Sequence, residues 1–173
     1  MRRLEALSKA HDREGFDCGS EPLNRYIRQT ARQHAERGIA RTFVLVDSDS
    51  GERRPILGYF SLTLCQVIPG QLPPADAKKL PDNIHGVLLG RLAVAKSLQG
   101  QGLGKLLLGA ALEKFMTIFE AAGGIGLFVD AKDEDAKRFY EGFGFVPLPS
   151  NPLQLFLPVK TIQAALNTSA TAE

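Results

Sequence analysis

Metal and redox chemistry find few residues to work with in this chain. Its two cysteines, Cys18 and Cys65, share no metal-ligand or redox spacing, and its three scattered histidines, His11, His34 and His85, complete no zinc set. The thiols therefore read as buried or idle, and no metal is expected. Long hydrophobic runs are missing too. Nothing approaches the ~18 apolar residues a membrane span needs, and Met1-Arg2-Arg3-Leu4-Glu5-Ala6 lacks the apolar stretch of a signal peptide. The expected location is the cytoplasm, with no membrane contact. Excess charge is also small: a net +2 excludes a uniformly basic nucleic-acid-binding protein, while leaving open charge gathered on one face. A Walker loop is absent, because Lys105 follows glycines spaced by two and precedes Leu106 where Ser or Thr is needed. So is a Rossmann fingerprint, since the chain offers Gly-x-Gly-x-Gly in place of Gly-x-Gly-x-x-Gly.

What is present is enough for one buried core. With 173 residues, 44% of them apolar, the chain fits a single domain over residues 1–160. Residues 161–173, rich in Ala, Thr and Ser, have little to bury and are expected to fray. Ser20-Glu21-Pro22 reads as a helix start, with a polar cap, an acidic first turn and proline where its missing N–H costs nothing. That helix is expected to run to about Gly38, with Leu23, Ile27, Ala31, His34 and Ala35 on one face and Arg25, Arg28 and Arg32 on another. Residues 42–46 and 56–64 read as a β-hairpin, and the proline-rich stretch 66–86 as a long loop with at most a turn of helix at 76–80. Next come an apolar strand at 87–94 and an amphipathic helix at 102–122, ended by Gly123-Gly124. A strand at 126–130, a short helix at 134–143 and a last strand near 153–157 complete a mixed, mainly antiparallel sheet with helices on both faces, an α/β (α+β) fold.

The chemistry lies where the apolar strand meets the long helix. Gly100, Gly102 and Gly104 let the backbone approach a ligand in conformations a Cβ forbids, and the unpaired amides of the helix's first turn point at it. Those amides and the positive end of the helix dipole favour an anion by roughly 0.3 to 1 kcal/mol per charge. A phosphorylated ligand is the expectation; the bland alternative is a plain tight turn.

Gln99-x-x-Gly102-x-Gly104 resembles the Gln/Arg-x-x-Gly-x-Gly/Ala signature of the GNAT superfamily of acyl-CoA-dependent N-acetyltransferases. Downstream, Asp133-Glu134-Asp135-Ala136-Lys137-Arg138-Phe139-Tyr140 through Gly144-Phe145 is similar to the same superfamily's Asn-x-x-Ala-x-x-Phe-Tyr-x-x-x-Gly-Phe segment. The resemblance implies the GNAT fold with a splayed central strand pair, and acetyl-CoA as co-substrate. It also implies that the backbone of Leu92, Ala93 and Val94 holds the pantetheine arm, that Gln99, Gly100, Gln101, Gly102, Leu103, Gly104 and Lys105 hold the diphosphate, and that Asp133 and Phe139 line the cofactor. Tyr140 falls where these enzymes place a tyrosine near the thioester sulfur, so it is the candidate partner of the departing thiolate. An aromatic-cluster tyrosine packed on Phe139, Phe143 and Phe145 is the structural alternative.

No residue stands out as a general base. A lysine amine, pKa about 10.4, costs roughly 4 to 5 kcal/mol to deprotonate at neutral pH, against about 1 for an α-amine near 7.7 to 8. A low-pKa amine, such as that of an aminoacyl ester, fits best. Outside the cofactor motifs, Phe16-Asp17-Cys18-Gly19-Ser20-Glu21-Pro22-Leu23-Asn24-Arg25-Tyr26-Ile27 and Leu89-Gly90-Arg91-Leu92-Ala93-Val94 resemble segments of the GNAT toxins of bacterial type II toxin–antitoxin systems. That resemblance, over residues 12–158, implies acetylation of the α-amine of aminoacyl-tRNA to block translation, restraint by a ribbon-helix-helix antitoxin, and a homodimer. Arg25, Arg28, Arg32 and Arg91 are the candidates for tRNA phosphates. Two departures stand out, Ala95 for a frequent aspartate and Asp133 for the usual asparagine. Two other functions compete: an acetyltransferase acting on a small amine or a protein N-terminus, and a module that binds acyl-CoA without turnover.

Overall fold

Phe43 lies opposite Phe60 with their rings stacked at 5.3 Å, so the hairpin expected from the sequence forms. In chain order the strands are β1 (Arg2–Ala6), β2 (His11–Asp12), β3 (Arg41–Asp47), β4 (Arg54–Pro55), β5 (Gly58–Val67), β6 (Ile84–Val94), β7 (Gly126–Asp130), β8 (Val146–Leu148) and β9 (Asn151–Pro158). The α-helices are α1 (Glu21–Arg25), α2 (Ala31–Glu36), α3 (Pro74–Ala77), α4 (Leu103–Ala122), α5 (Glu134–Glu141) and α6 (Val159–Thr171). The computed structural model describes residues 1–171, and the chain divides into two compact units. One comprises Met1–Thr63 and Gly90–Ala111, the other Leu64–Leu89 and the chain from Leu112 onward. Strands β5 and β6 and helix α4 have residues in both.

In the first unit β1 pairs antiparallel with β3, and β3 with β5. The turn of the hairpin is not plain loop: β4 breaks it and pairs in parallel with β2. Against this sheet pack Phe16, Tyr26, Ile27, Ala31, Val44, Val46, Ile56, Tyr59 and Ala93 as one apolar cluster. The helix expected from Ser20 to Gly38 is present but interrupted. Between α1 and α2 the chain winds through a π turn over Tyr26–Thr30. One inserted residue rotates the next turns by about 100° relative to a regular helix, so the spacing rule that put three arginines on one face does not hold across it. Nor does the Ser20 side chain cap α1; its carbonyl accepts from the Asn24 amide at 2.9 Å.

In the second unit β6 pairs parallel with β7, β7 antiparallel with β9, and β9 antiparallel with β8. The β6–β7 ladder covers Val87↔Leu127 to Leu89↔Val129, although β6 runs on to Val94. Backbone groups beyond Leu89 are thus outside that ladder, as the expected splay requires. Val67, Leu72, Phe128, Leu148 and Phe156 form the apolar cluster here, with the proline-rich loop pinned through Leu72. That loop is shorter than the sequence suggested, because β5 and β6 extend into it, and its helical turn is α3, starting at Pro74.

The tail is the clearest correction. Residues expected to fray form α6 from Val159, with Ile162 fully buried and Leu166, one turn on, half-buried. That apolar pair at i and i+4 docks the helix, and Lys160, Gln163, Ala164 and Ala165 around it are good helix formers. Residues 172 and 173 lie outside the described residues. Among the described residues no helix is long and apolar enough to cross a membrane.

Candidate active site

The glycine turn of the first unit is a braced loop. Leaving β6 at Val94, the chain passes a 3₁₀ turn at Lys96–Leu98 and reaches α4 at Leu103. The Ala95 amide bonds Leu57 O at 2.9 Å and the Lys96 amide bonds Asp17 O at 2.8 Å. Gly100 and Gly102 take φ of +80° and +83°, a region L side chains rarely enter, and no atom lies within 4 Å of where a Cβ would stand. Conformation, not crowding, demands glycine there. Gly104 differs: it is not left-handed but sits in the first turn of α4, so only two of the three glycines serve the turn. The first backbone bond closing the helix runs from Leu106 N to Gly102 O at 3.2 Å, leaving the preceding amides available to an anion. Leu103 is buried and offers only its backbone, whereas Lys105 and Lys96 are exposed cations flanking the turn.

Gln99 does something the motif did not disclose. Its side-chain amide donates to Cys18 O at 2.8 Å and Val94 O at 3.0 Å, tying the loop to the N-terminal segment and to β6. The segment it grips is itself knotted. Buried Asn24 accepts from the Cys18 amide at 2.8 Å and donates to Asp17 Oδ1 at 2.9 Å, which also accepts from the Gly19 amide at 2.9 Å. The Gly19 amide and the Asn24 side chain hold the Asp17 carboxyl below its ordinary range. Asp17 and Asn24 thus position the glycine loop without belonging to either cofactor motif; the available signal was their place in the toxin-like segment from Phe16 to Ile27. Replacing Asn24 with Ala strands the Cys18 amide, an expected cost of about 1–3 kcal/mol. The thermal midpoint should fall by about 2–12 °C, and the KM for acetyl-CoA should rise as the tether loosens; melting curves and initial rates check both.

In the second unit Asp133, Phe139 and Tyr140 share the start and body of α5. Asp133 is its N-cap, accepting from the Ala136 amide at 2.8 Å, which is why an acid is tolerated where asparagine is usual. Phe139 meets Tyr140 and Phe143 edge-to-face, each at 5.2 Å, and Tyr140 meets Phe145 at 5.4 Å. The aromatic cluster is therefore real, and Tyr140 is 8% exposed within it. Burial pushes its phenol up to about 12. It stays protonated throughout the physiological range, a hydrogen-bond donor.

The four arginines fare differently from one another. Arg28 turns inward, donating to Phe16 O at 2.6 Å, and its own carbonyl accepts from Arg13 at 3.1 Å. Arg32 lies 3.5 Å from Glu36 one turn on, and Arg25 is exposed. Arg91 on β6 lies over the Tyr26 ring, 3.6 Å from its centroid.

The family model of the acetyltransferase (GNAT) domain matches residues 71–147. A tRNA-acetylating toxin of Mycobacterium tuberculosis is 30% identical over 160 residues, 92% of this chain and 93% of that protein. The solved structure of AtaT complexed with acetyl-methionyl-tRNAfMet is 36% identical at a TM-score of 0.87, covering 96% of this chain and 99% of that one. That of a tyrosine-to-phenylalanine AtaT mutant bound to the C-terminus of the antitoxin AtaR and acetyl-CoA is 33% identical at a TM-score of 0.81, over 95% and 98% of the two chains. The mixed, mainly antiparallel fold expected from the sequence is the fold these structures share.

Proposed function

This chain belongs to the GNAT acetyltransferase superfamily, in its branch of tRNA-acetylating toxins, and on that premise we propose that it transfers the acetyl group of acetyl-CoA to the α-amine of aminoacyl-tRNA. Acetylation removes the nucleophile of peptide-bond formation, so the product cannot serve elongation and translation stops. Likeness to a tRNA-acetylating toxin along nearly the whole chain carries this reading. The partner that restrains it is an antitoxin; we take this to be of the ribbon-helix-helix type, the enzyme to act as a homodimer in the cytoplasm, and residues 1–160 together with the rest of α6 to work as one acetyltransferase domain.

The residues present fit acetyl-CoA. Left-handed Gly100 and Gly102, with open space where side chains would project, and the free amides opening α4 suit a diphosphate. In this reading the backbone of Gln101 to Lys105 holds the diphosphate, Leu92, Ala93 and Val94 pair with the pantetheine amides, and Phe139 packs beside it. Gln99 and Asp133 act as braces, of the loop and of α5. Acetyl-CoA supplies an activated acyl group and a thiol leaving group. To Tyr140 we assign the role of donor to that leaving group. With its pKa near 12, handing over the whole proton to a thiolate of ordinary pKa about 8.5 is uphill by roughly 5 kcal/mol, so the phenol stabilises the sulfur by a hydrogen bond. Of the arginines, Arg25 and Arg91 are the ones with no acceptor bound among the described residues, whereas Arg28 is bonded into the fold and Arg32 is paired with Glu36 on the surface.

These roles set the pH profile. Because the substrate's α-amine must be neutral, kcat/KM should rise through a pKa at or below about 7.7–8. It should then stay level to about pH 10, since a phenol held near 12 keeps its proton. An amide-linked aminoacyl-tRNA, stable in base, allows the measurement; a fall between pH 8 and 10 would assign the donor to another group. The function itself is tested by monitoring thiol release with acetyl-CoA and charged tRNA, then with free amino acids or polyamines. Turnover on small amines alone would replace this reading with that of a small-amine acetyltransferase.

A further inference from the structure

The geometry points to Tyr26 as the residue that sets Arg91 in place for a phosphate at the aminoacylated end of tRNA, an inference that rests on the function proposed above. Tyr26 begins the π turn, and the turn explains where its ring lies. In a regular helix residues eight apart sit about 80° from one another, whereas seven apart differ by about 20°. The inserted residue makes Tyr26 and His34, eight apart, neighbours on one face. Their rings meet edge-to-face at 5.5 Å and the Tyr26 hydroxyl is 3.3 Å from His34 Nδ1. Behind Tyr26, Tyr59 stacks at 6.4 Å with a 22° interplanar angle, and Tyr59 is itself fixed by donating to Leu23 O at 2.7 Å. The Tyr26 ring is thus a rigid shelf, 4% exposed, and Arg91 lies on it.

A guanidinium stacked on an aromatic face keeps its N–H edges free, and those edges match the two oxygens of a phosphate. Among the described residues no acceptor meets the Arg91 edges, in contrast with Arg28, whose guanidinium is bonded to Phe16 O. Arg91 is half-buried, so the side chain is held while its end remains approachable. Its place in the chain fixes what it reaches. Arg91 immediately precedes Leu92, the first residue assigned to the pantetheine arm, so a phosphate it holds lies beside the reacting end of acetyl-CoA. The ligand class that fits is a terminal phosphodiester of the acceptor end, not a distant part of the tRNA body.

Kinetics of Tyr26→Leu, Tyr26→Phe, Arg91→Lys and Arg91→Ala on aminoacyl-tRNA test this, with acetyl-CoA saturation measured alongside. Removing the ring should raise the KM for aminoacyl-tRNA about threefold to thirtyfold, with kcat and the KM for acetyl-CoA unchanged. Tyr26→Phe, which keeps the shelf, should behave as the parent. Arg91→Lys keeps the charge but cannot stack or fork, and should approach Arg91→Ala in KM; it also serves if Tyr26→Leu does not fold. In an Arg91→Ala background Tyr26→Leu should add nothing. An unchanged KM in Tyr26→Leu, a parent-like Arg91→Lys, or an equal loss for acetyl-CoA would overturn the inference. If Arg91→Ala itself leaves the KM for tRNA unchanged while the parent acetylates tRNA, the contact belongs to other residues and the inference falls. If the parent acetylates no tRNA at all, it is the proposed function that has failed.

Discussion

Tyr140→Phe is expected to lower kcat by about 10²–10³, the usual loss when one positioned hydrogen-bond donor to a developing charge is removed, while leaving the KM for acetyl-CoA close to that of the parent. The structure makes this substitution unusually clean. Tyr140 sits in a ring cluster with Phe139 and Phe145, where a phenylalanine keeps the edge-to-face contacts and gives up only the hydroxyl. Stability should therefore hold, and a matched thermal midpoint would attribute the lost rate to the missing donor. Because burial raises the phenol, the loss reports a hydrogen bond to the departing sulfur and not a complete proton transfer. A Tyr140→Phe enzyme that keeps more than about a tenth of parental kcat would assign leaving-group stabilisation elsewhere.

The second large effect is expected at Gly102. With φ at +83° and nothing within 4 Å of the position a Cβ would take, the cost of a substitution to the unliganded protein is set by backbone preference alone. Valine, β-branched, is among the residues least able to enter that region, and asparagine among the most tolerant. Gly102→Val should thus cost about 1–2 kcal/mol in the left-handed conformation. If the unliganded loop relaxes, that cost falls on acetyl-CoA affinity, a loss of roughly fivefold to thirtyfold; if it cannot, the melting temperature falls instead. Gly102→Asn, of similar volume, should recover the part of either loss that backbone conformation causes. Calorimetric titration with acetyl-CoA and thermal melts on the three proteins separate the outcomes. Equal affinities and equal melting temperatures for the valine and asparagine variants would mean that the left-handed turn at Gly102 serves neither the fold nor the diphosphate.

The glycine turn, β6, α4 and β7 are legible in the sequence because each rests on local rules: glycine at positive φ, a nearly unbroken apolar strand, a helical period from Leu103 to Ala122. Side-chain direction across a helix is not. Arg25, Arg28 and Arg32 share a face only if the helix is regular, and the π turn at Tyr26–Thr30 sends Arg28 to Phe16 O. A single inserted residue leaves no mark in composition. Gln99 belongs to the loop as its motif implies, but its partners lie far off in sequence, at Cys18, so no spacing rule could reveal that it faces the protein. Strand β1 escapes detection because its burial is only partial along Arg2–Ala6, and α6 because its docking rests on so few apolar residues. The motif weighs Asp133 by what an amide would do for a ligand, whereas its carboxylate answers to the backbone of α5.

The bonds from Lys96 and Gln99 to Asp17 and Cys18 bear on how variants would be found by genetics. A selection for survivors of toxin expression would collect inactivating alleles not only among the glycines but in codons 17 to 24, nowhere near them on a linear map. Such alleles would be scored as distant suppressors, yet they would share one phenotype with changes in the loop they support.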